Sequence, residues 1–393
     1  MVEWKRLEDL GPYFGGLTGK TKEDFVEGNA KFITYMNVYA NPSLDITSTG
    51  VVKINEGEKQ NKIQKGDILF TGSSETPDEA GMSCVVTEEL NEDYYMNSFC
   101  FGLRLYAPEQ YNLHYLKHVF RSYGVRKEIA KSASGVTRFN ISKARFGKID
   151  IPIPSLYEQN RIVGILDTFT SSIDNLKQQI AQRRKQYEYY RDQLLTLEGK
   201  EGVEMKSLGE IGKCIAGATP STKDSSYWEN GNISWMSSGE VHQGIVTHTA
   251  SFITQKGYDN ASTKMLPVGT VVIALAGQGK TRGSVAITAI ELCTNQSLCG
   301  VVIDNKNILN KYVYFYLRTR YNDLRRISSG DGTRGGLNLK MIGAYPVHLP
   351  PLSEQSRIVS ILDTFEVSIA NLEAQLSQRE KQYEYYRNKL LTF

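Results

Sequence analysis

Residues 158–197 read EQNRIVGILDTFTSSIDNLKQQIAQRRKQYEYYRDQLLTL, and residues 354–393 repeat this stretch at a constant offset of 196 positions. The two copies are identical at 27 of the 40 aligned positions, without a gap. A repeat of this length and similarity indicates two copies of one structural unit. The two copies therefore divide the chain into two halves that each end in the same element.

Apolar residues follow a heptad spacing in both copies, with steps that alternate between four and three. The first seam consists of Ile162, Leu166, Phe169, Ile173, Leu176, Ile180, Tyr187, Tyr190, Leu194 and Leu197, and the second copy is apolar at the same ten positions. A 3.5-residue period makes a narrow stripe that fits a partner helix, and 36 such residues would form a rod of about 54 Å. We therefore predict two long helices that pack against each other. An ordinary amphipathic helix on a domain surface is the alternative.

Both seams are interrupted at the same level by an arginine, Arg183 in the first copy and Arg379 in the second. A polar residue at a seam position can fix the register or orientation of the helices. A long basic side chain can also bend outward to solvent. The sequence leaves both roles open.

The repeat extends beyond the seams. Residues 2–7 resemble residues 203–208, so the two halves begin alike and also end alike. We predict four parts of an α+β protein: a first α/β segment at 1–154, a central helix at 155–198, a second α/β segment at 199–351 and a C-terminal helix at 352–393. Within the α/β segments, Tyr111–Lys131 and Leu309–Ile327 are expected to be helices.

Composition excludes several classes of protein. With 40% hydrophobic and 23% charged residues among 393, the chain is expected to be globular. It has no apolar run of membrane-spanning length and no signal-peptide pattern at its start, which predicts a cytoplasmic protein. The five cysteines form no CxxC pair and the five histidines are scattered, so we expect free thiols and no metal site.

Positive charge is concentrated in the same part of each half. Residues 104–148 contain ten basic and two acidic residues, and residues 311–342 contain seven basic and two acidic ones. Such a bias predicts a surface that binds a polyanion, present twice. Solvated charged helices are the alternative.

No constellation for catalysis is visible. Residues 274–281 satisfy a relaxed phosphate-loop pattern, but the first glycine is missing and a strand is expected to follow where a helix is required. An enzyme that uses the Lys280 loop would need a bound nucleotide there. Gln278, Lys280 and Arg282 are better interpreted as nucleic-acid contacts, since such side chains recognise base edges and phosphates. The chain is predicted to be a non-catalytic binder.

A loop of small residues follows the basic helix in each half and keeps Ser-Gly, then Thr-Arg, then Asn. The contact candidates here are Arg138, Asn140, Lys143 and Arg145 in the first half and Arg334 and Asn338 in the second. Because both halves share this loop, it suits either contacts with a nucleic-acid backbone or support of the junction with the long helix. Base recognition is assigned to unmatched residues such as Ser73, Ser74 and Gln278.

The chain resembles the specificity (S) subunit of type I restriction-modification enzymes over its whole length. The likeness rests on Glu-Gln-x-Arg-Ile-Val at 158–163 and 354–359, and on Tyr-Glu-Tyr-Tyr-Arg with Leu-Leu-Thr at the end of each copy. The resemblance implies two mixed α/β target-recognition domains separated by an antiparallel coiled coil, with pseudo-twofold symmetry. It further implies that each domain recognises one half of a bipartite DNA site, with an unread spacer between the two halves.

The resemblance also implies partners. Two modification subunits would dock on the helices and methylate adenine, and restriction subunits would complete the full complex. S-adenosylmethionine, ATP and Mg²⁺ are then expected on the partner subunits and no cofactor on this chain. We place the docking on Arg161, Asp167, Arg357 and Asp363. A coiled-coil scaffold that binds protein and not DNA remains the alternative function.

Overall fold

The computed structural model describes residues 2–277, 280–328 and 336–393. Contacts within the chain divide it into two compact units, Met1–Gln178 with Glu373–Phe393, and Gln179–Leu372. Each unit therefore contains one α/β segment and a portion of both long helices. The four predicted segments divide the chain differently from these two units, and their boundaries stay a prediction.

The first unit is a mixed α/β segment with the start of the central helix, whose remainder belongs to the second unit, and the end of the C-terminal helix. Its elements are β1 (Glu3–Arg6), α1 (Leu7–Leu10), β2 (Tyr13–Gly15), β3 (Ala30–Ile33), α2 (Tyr35–Ala40), β4 (Gly50–Val52), β5 (Ile68–Thr71), β6 (Ser73–Ser74), β7 (Ser83–Val85), β8 (Tyr94–Met96), β9 (Cys100–Leu103), α3 (Leu113–Val119), α4 (Tyr123–Ser132), β10 (Ala133–Ser134), β11 (Phe139–Ile141), α5 (Lys143–Phe146), β12 (Asp150–Ile153) and α6 (Leu156–Leu195). The strands form sheets in the orders β2-β9-β5-β7, β4-β3-β8, β10-β11-β6 and β1-β12.

Strand β5 is central to the first unit because all four of its residues are buried. Successive side chains of a strand point to opposite faces of the sheet. Ile68 and Phe70 accordingly join a core that includes helices α3 and α4, whereas Leu69 joins a second core with Ile33 of β3. The Phe70 ring lies 4.9 Å from the ring of Phe146 in an edge-on arrangement. The sheet is thus covered on both faces.

The second unit repeats this plan. Its elements are β13 (Glu204–Ser207), α7 (Leu208–Ile211), β14 (Gly212–Ala216), β15 (Ile233–Met236), β16 (Ile245–Val246), β17 (Ser251–Ile253), α8 (Gln255–Asn260), β18 (Val271–Ala274), β19 (Val285–Thr288), β20 (Cys293–Thr294), β21 (Leu298–Ile303), α9 (Asn310–Thr319), α10 (Tyr321–Ile327), α11 (Leu339–Gly343), β22 (Pro346–Leu349) and α12 (Leu352–Leu390). Its sheet orders are β14-β21-β18-β19-β16, β17-β15-β20 and β13-β22. Strand β18 has the position that β5 has in the first unit.

The two long helices pack antiparallel, as the resemblance implied. In the first unit, Phe169 of α6 stacks on Tyr386 of α12 at 5.3 Å, and farther along Lys177 faces Glu380. In the second unit, Tyr190 of α6 stacks on Phe365 of α12 at 5.6 Å. Residue numbers rise along one helix as they fall along the other, which confirms the predicted fold class with its internal repeat.

The seam arginines lie over aromatic rings of the opposite helix. The Arg183 guanidinium is 5.8 Å from the centre of the Phe365 ring, and that of Arg379 is 5.6 Å from the Phe169 ring. A cation over an aromatic face gains about 0.5–1 kcal/mol at exposed sites. Of the two roles left open, the structure favours a contact that fixes register over a side chain turned to solvent.

The predicted helices at 111–131 and 309–327 are each two helices, and this part of the prediction was wrong. Ser122 precedes α4 with extended backbone (φ −70°, ψ 151°), and its Oγ donates to Val119 O at 2.7 Å. In the second unit α9 ends at Thr319 and α10 begins at Tyr321, with Arg320 between them. A serine that hydrogen-bonds to the preceding turn competes with helix propagation.

Candidate nucleic-acid interface

A buried glutamine joins the start of each long helix to the α/β segment of its unit. Gln159, 1% exposed, accepts from Asn112 N at 2.9 Å and donates to Pro154 O at 2.8 Å. Gln355, 2% exposed, accepts from Leu309 N at 3.0 Å and donates to Pro350 O at 2.9 Å. The amide side chain satisfies main-chain groups that burial would otherwise leave unpaired. This explains the Glu-Gln motif at the start of both copies as a structural joint.

Asp167 connects helix α6 to helix α3 in the first unit. Its Oδ1 is 2.8 Å from Lys117 Nζ and 2.8 Å from Nε2 of the buried His118, whose Nδ1 lies 2.9 Å from the Tyr383 hydroxyl. Partial burial alone would raise the pKa of Asp167, but the hydrogen bonds from His118 and Lys117 outweigh it and lower the pKa to about 2. Burial lowers the pKa of His118 below its usual value. Both long helices thus contact the first α/β segment.

Acidification is expected to destabilise the first unit through His118. The pKa of His118 is lower in the folded state than in the unfolded state, where it is near 6.5. The contribution of neutral His118 to the free energy of unfolding is therefore complete above the unfolded pKa and is lost as the pH falls through the folded pKa. The slope of the thermal midpoint between pH 7 and pH 5 should therefore be smaller in His118→Gln, which does not titrate. His248→Gln, on an exposed position, is the control that should keep the wild-type slope. Equal slopes in wild type and His118→Gln would refute this role.

The second unit uses different partners for the same joint. Asp363, the repeat equivalent of Asp167, is 2.8 Å from Lys311 Nζ. Arg318 donates to Glu366 at 2.7 Å, and Glu366 also accepts from the Tyr187 hydroxyl at 3.1 Å. Tyr187 is the repeat equivalent of Tyr383. In both units, one tyrosine of the Tyr-Glu-Tyr-Tyr-Arg motif therefore reaches the α/β segment from the other helix.

The four predicted docking residues fall into two kinds. Asp167 and Asp363 are engaged inside their own units, so their intrachain joint is the role that the contacts support. Arg161 and Arg357 are exposed and each pairs with a glutamate one turn before it, at 2.6 and 2.7 Å. Docking through any of the four remains a prediction.

Several basic residues of the segment at 104–148 are structural, so only part of its charge is available to the predicted polyanion-binding surface. Arg104 pairs with the buried Asp67 at 2.7 Å. Burial lowers the pKa of Arg121 and of Arg126 to about 10, and both guanidinium groups donate to main-chain carbonyls. Counting charges cannot separate such internal groups from surface ones. The exposed basic residues of this segment are Lys127, Lys131, Arg138, Lys143, Arg145 and Lys148.

Four of the predicted contact residues in the first unit lie together. Strand β6 pairs with β11, which places Ser73 opposite Asn140, and Arg138 Nε donates to Ser73 Oγ at 3.1 Å. Ser73 and Ser74 are 5% and 8% exposed. Direct contact with bases, as predicted, therefore requires a base that reaches into the surface at these two serines. The Arg138 guanidinium also lies 5.3 Å from the exposed Phe99 ring.

A cleft of about 400 Å³ opens beside Arg138, lined by Tyr35, Met36, Tyr39, Ser73, Ser74, Glu75, Glu79, Thr137 and Arg138. The rings of Tyr35 and Tyr39 stack at 6.1 Å, and Tyr39 donates to Glu79 at 2.8 Å. Sequence reasoning missed the aromatic residues of α2 and Phe99. An aromatic pair four residues apart on a short amphipathic helix is a signal that could have pointed to them.

Lys143 and Arg145 lie on α5, close to a second concave surface. Arg145 lines a cleft of about 510 Å³ with Trp4, Lys131 and Lys148. The ammonium of Lys143 is 5.5 Å from the Phe101 ring. Both side chains are exposed, as a contact with DNA phosphates requires.

In the second unit, the predicted contacts are less uniform. Lys280 is exposed, whereas Arg282 is 7% exposed, and the contact of both residues with DNA stays a prediction. Asn338 accepts from Met341 N at 2.9 Å and so caps helix α11. It corresponds to Ser142 before α5, not to Asn140, because each directly precedes the short helix. Gln278 and Arg334 lie outside the described residues.

Among the described residues, no group of three or more His, Cys, Asp or Glu side chains is placed to hold a metal ion. In the same part of the chain, no helix has the length and apolar character needed to cross a membrane. The five cysteines are free thiols, four of them buried.

Comparison with known proteins places these features in a family. A family model described as the type I restriction modification DNA specificity domain matches residues 1–183 and again residues 200–380. The chain is 39% identical over 259 residues to the EcoR124I/EcoR124II specificity subunit of Escherichia coli, an alignment that spans 63% of each chain. It is 31% identical over 306 residues to a putative type I restriction enzyme specificity subunit of Haemophilus influenzae, which covers 73% of this chain and 74% of that one.

Solved structures share the fold at low identity. The S subunit of a type I restriction-modification system from M. genitalium aligns with a TM-score of 0.60 at 17% identity and covers 100% of this chain and 96% of its own. A chain from a structure of type I restriction-modification complex assembly gives 0.65 at 18% identity, covering 99% and 96%. Since the family model matches both halves, this chain belongs to the type I restriction-modification DNA specificity family.

Proposed function

We propose that this chain is the non-catalytic DNA-specificity subunit of a type I restriction-modification enzyme. Each unit recognises one half of a bipartite site, and the two long helices dock the modification subunits. The observation that carries the proposal is one α/β frame built twice. Each copy is tied to one long helix by a buried glutamine and a carboxylate, and to the other helix by a tyrosine. A duplicated frame suits a target with two separate halves.

Surface chemistry on the helices supports two copies of the same partner. The exposed pairs Glu158–Arg161 and Glu354–Arg357 stand at equivalent positions. Tyr189 is 62% exposed, and its repeat equivalent Tyr385 is 57% exposed. Tyrosine and arginine are enriched where proteins bind each other. Two matching surfaces on one chain would accept two identical modification subunits.

The remaining chemistry belongs to the partners in this proposal. S-adenosylmethionine would be held by the modification subunits, which methylate adenine in each half-site. ATP and Mg²⁺ would serve the restriction subunits in the complete enzyme, in the cytoplasm. This chain would supply orientation and sequence choice. The exposed Arg138, Lys143 and Arg145 support contact with a DNA backbone.

Co-purification with a modification subunit tests the docking. Native mass spectrometry should find two modification subunits per chain in the wild type, one in Arg161→Glu and none in Arg161→Glu/Arg357→Glu, because charge reversal creates like-charge repulsion beside Glu158 and Glu354. Lys185→Glu, an exposed change on the same helix, is the control that should retain both subunits. A wild-type chain that binds no modification subunit would contradict the proposal.

A further inference from the structure

The residues that line the cleft beside Arg138 have equivalent positions in the second unit. Matching backbone hydrogen bonds establish this correspondence. Gly72 N, which follows β5, donates to Phe99 O at 2.7 Å. Leu275 N, which follows β18, donates to Ser297 O at 2.8 Å. The residues after each strand can therefore be matched one to one, and Phe99 corresponds to Ser297.

The second wall of the cleft is also matched. After β3, Thr34 caps α2 by accepting from Asn37 N at 3.2 Å, and Asn37 donates to the following loop at Asp45 O, 2.6 Å away. After β15, Ser237 caps the 3-10 helix Ser238–Gln243 with Glu240, which accepts from the following loop at Ala250 N, 2.8 Å away. A buried polar residue at the third helical position thus fixes this turn in both units.

The side chains on this shared frame differ at every position. The first-unit residues are Tyr35, Met36, Tyr39, Ser73, Ser74 and Phe99, and their second-unit equivalents are Ser238, Gly239, His242, Ala276, Gly277 and Ser297. The first set is dominated by large apolar and aromatic groups, and the second by small ones with a single imidazole. Two surfaces of such different shape and polarity cannot select the same bases.

Two partly buried arginines hold the walls of the first cleft from behind. Arg121 Nη2 donates to the carbonyls of Val38 and Tyr39 at 3.2 and 3.0 Å, at the end of α2. Arg126 Nη2 donates to the carbonyls of Asp78 and Ala80 at 2.8 and 2.7 Å, on either side of Glu79. The lining is therefore fixed before any ligand arrives, which recognition of a defined shape requires.

We propose that these six unmatched positions determine which bases each unit accepts, an inference that rests on the proposed DNA-specificity function. Arg138, whose counterpart by sequence is Arg334, is the shared member and serves contacts common to both half-sites. Among the described residues, the two Nη groups of Arg138 have no hydrogen-bond partner, so they remain available for a phosphate. Aromatic, hydroxyl and imidazole groups at the unmatched positions then contact base edges.

The test uses the complex with modification subunits and measures adenine methylation of DNA libraries that vary one base at a time. Met36→Ala/Phe99→Ala changes side chains that are 60% and 55% exposed, so the fold is expected to tolerate it. Discrimination at one or more positions of the first half-site should fall about tenfold, while the second half-site and the spacer stay unchanged. His242→Ala should affect the second half-site alone.

Tyr106→Ala, a change at a 74% exposed position outside the cleft, is the control that should leave both half-sites intact. If the Met36/Phe99 variant keeps full discrimination in the first half-site, the assignment of these residues is wrong although the specificity function stands. If the wild-type complex methylates no bipartite sequence, the proposed function itself fails. Retained selectivity for the second half-site verifies that a variant complex is folded.

Discussion

Exchanging residues 1–154 for the same segment of another specificity subunit is expected to replace one half of the methylated sequence and leave the other half unchanged. The physical reason is that the core of the first α/β segment continues onto apolar helix residues, Ile162, Leu166 and Leu391, which a donor segment with the same frame can also cover. Gln159 binds a main-chain N–H and a main-chain carbonyl, which any donor segment with the same backbone provides. The exchange therefore transfers the recognition surface without rebuilding the coiled coil.

The chimera is measured by mapping methylated adenines in cells that also contain the modification subunit. Exchange of residues 199–351 is the matched control and should change the opposite half. The donor should keep a basic residue or histidine facing Asp167, since loss of both Lys117 and His118 would leave that carboxylate with weaker partners. A chimera that alters both halves together would show that the units do not act independently.

Lengthening both helices by one heptad is expected to lengthen the unread spacer by about three base pairs. Seven added residues extend a helix by about 10 Å, and successive base pairs are about 3.4 Å apart. Insertion after Gln178 and after Leu372, where the two contact units meet in sequence, keeps the antiparallel pairs of each unit together. The half-site sequences should stay the same, because no residue of either α/β segment changes.

The spacer is read from the same methylation map. An insertion of seven residues in only one helix is the control, and it should abolish methylation because the seam can no longer pair along its length. An unchanged spacer after the double insertion would refute the idea that helix length sets the distance between half-sites.

The long helices were predictable because a heptad needs only spacing. The predicted limits, 155–198 and 352–393, differ from α6 (Leu156–Leu195) and α12 (Leu352–Leu390) by at most three residues at each end. The buried glutamine at the start of each helix was visible as a repeated letter, yet its role depends on main-chain groups distant in sequence. The aromatic contacts of the seam arginines likewise depend on which ring the opposite helix presents.

The candidate interface was only partly predictable because it is assembled from separate segments. Arg138 and Ser73 were both named from sequence, and the structure brings them together through the pairing of β6 with β11. Tyr35 and Phe99 were missed because nothing local indicates that their segments meet there. Arg121 was counted as surface charge, although it binds carbonyls in the interior. Burial depends on the whole fold, which charge counts do not contain.

The most direct test of the central claim is to co-express this chain with a modification subunit of its type I system and map methylated adenines across the host DNA. The account predicts one bipartite sequence with two specified halves and a spacer of fixed length. It further predicts that no such methylation occurs when this chain is omitted. A stable complex that leaves the DNA unmethylated, or methylation of a single uninterrupted sequence, would contradict it.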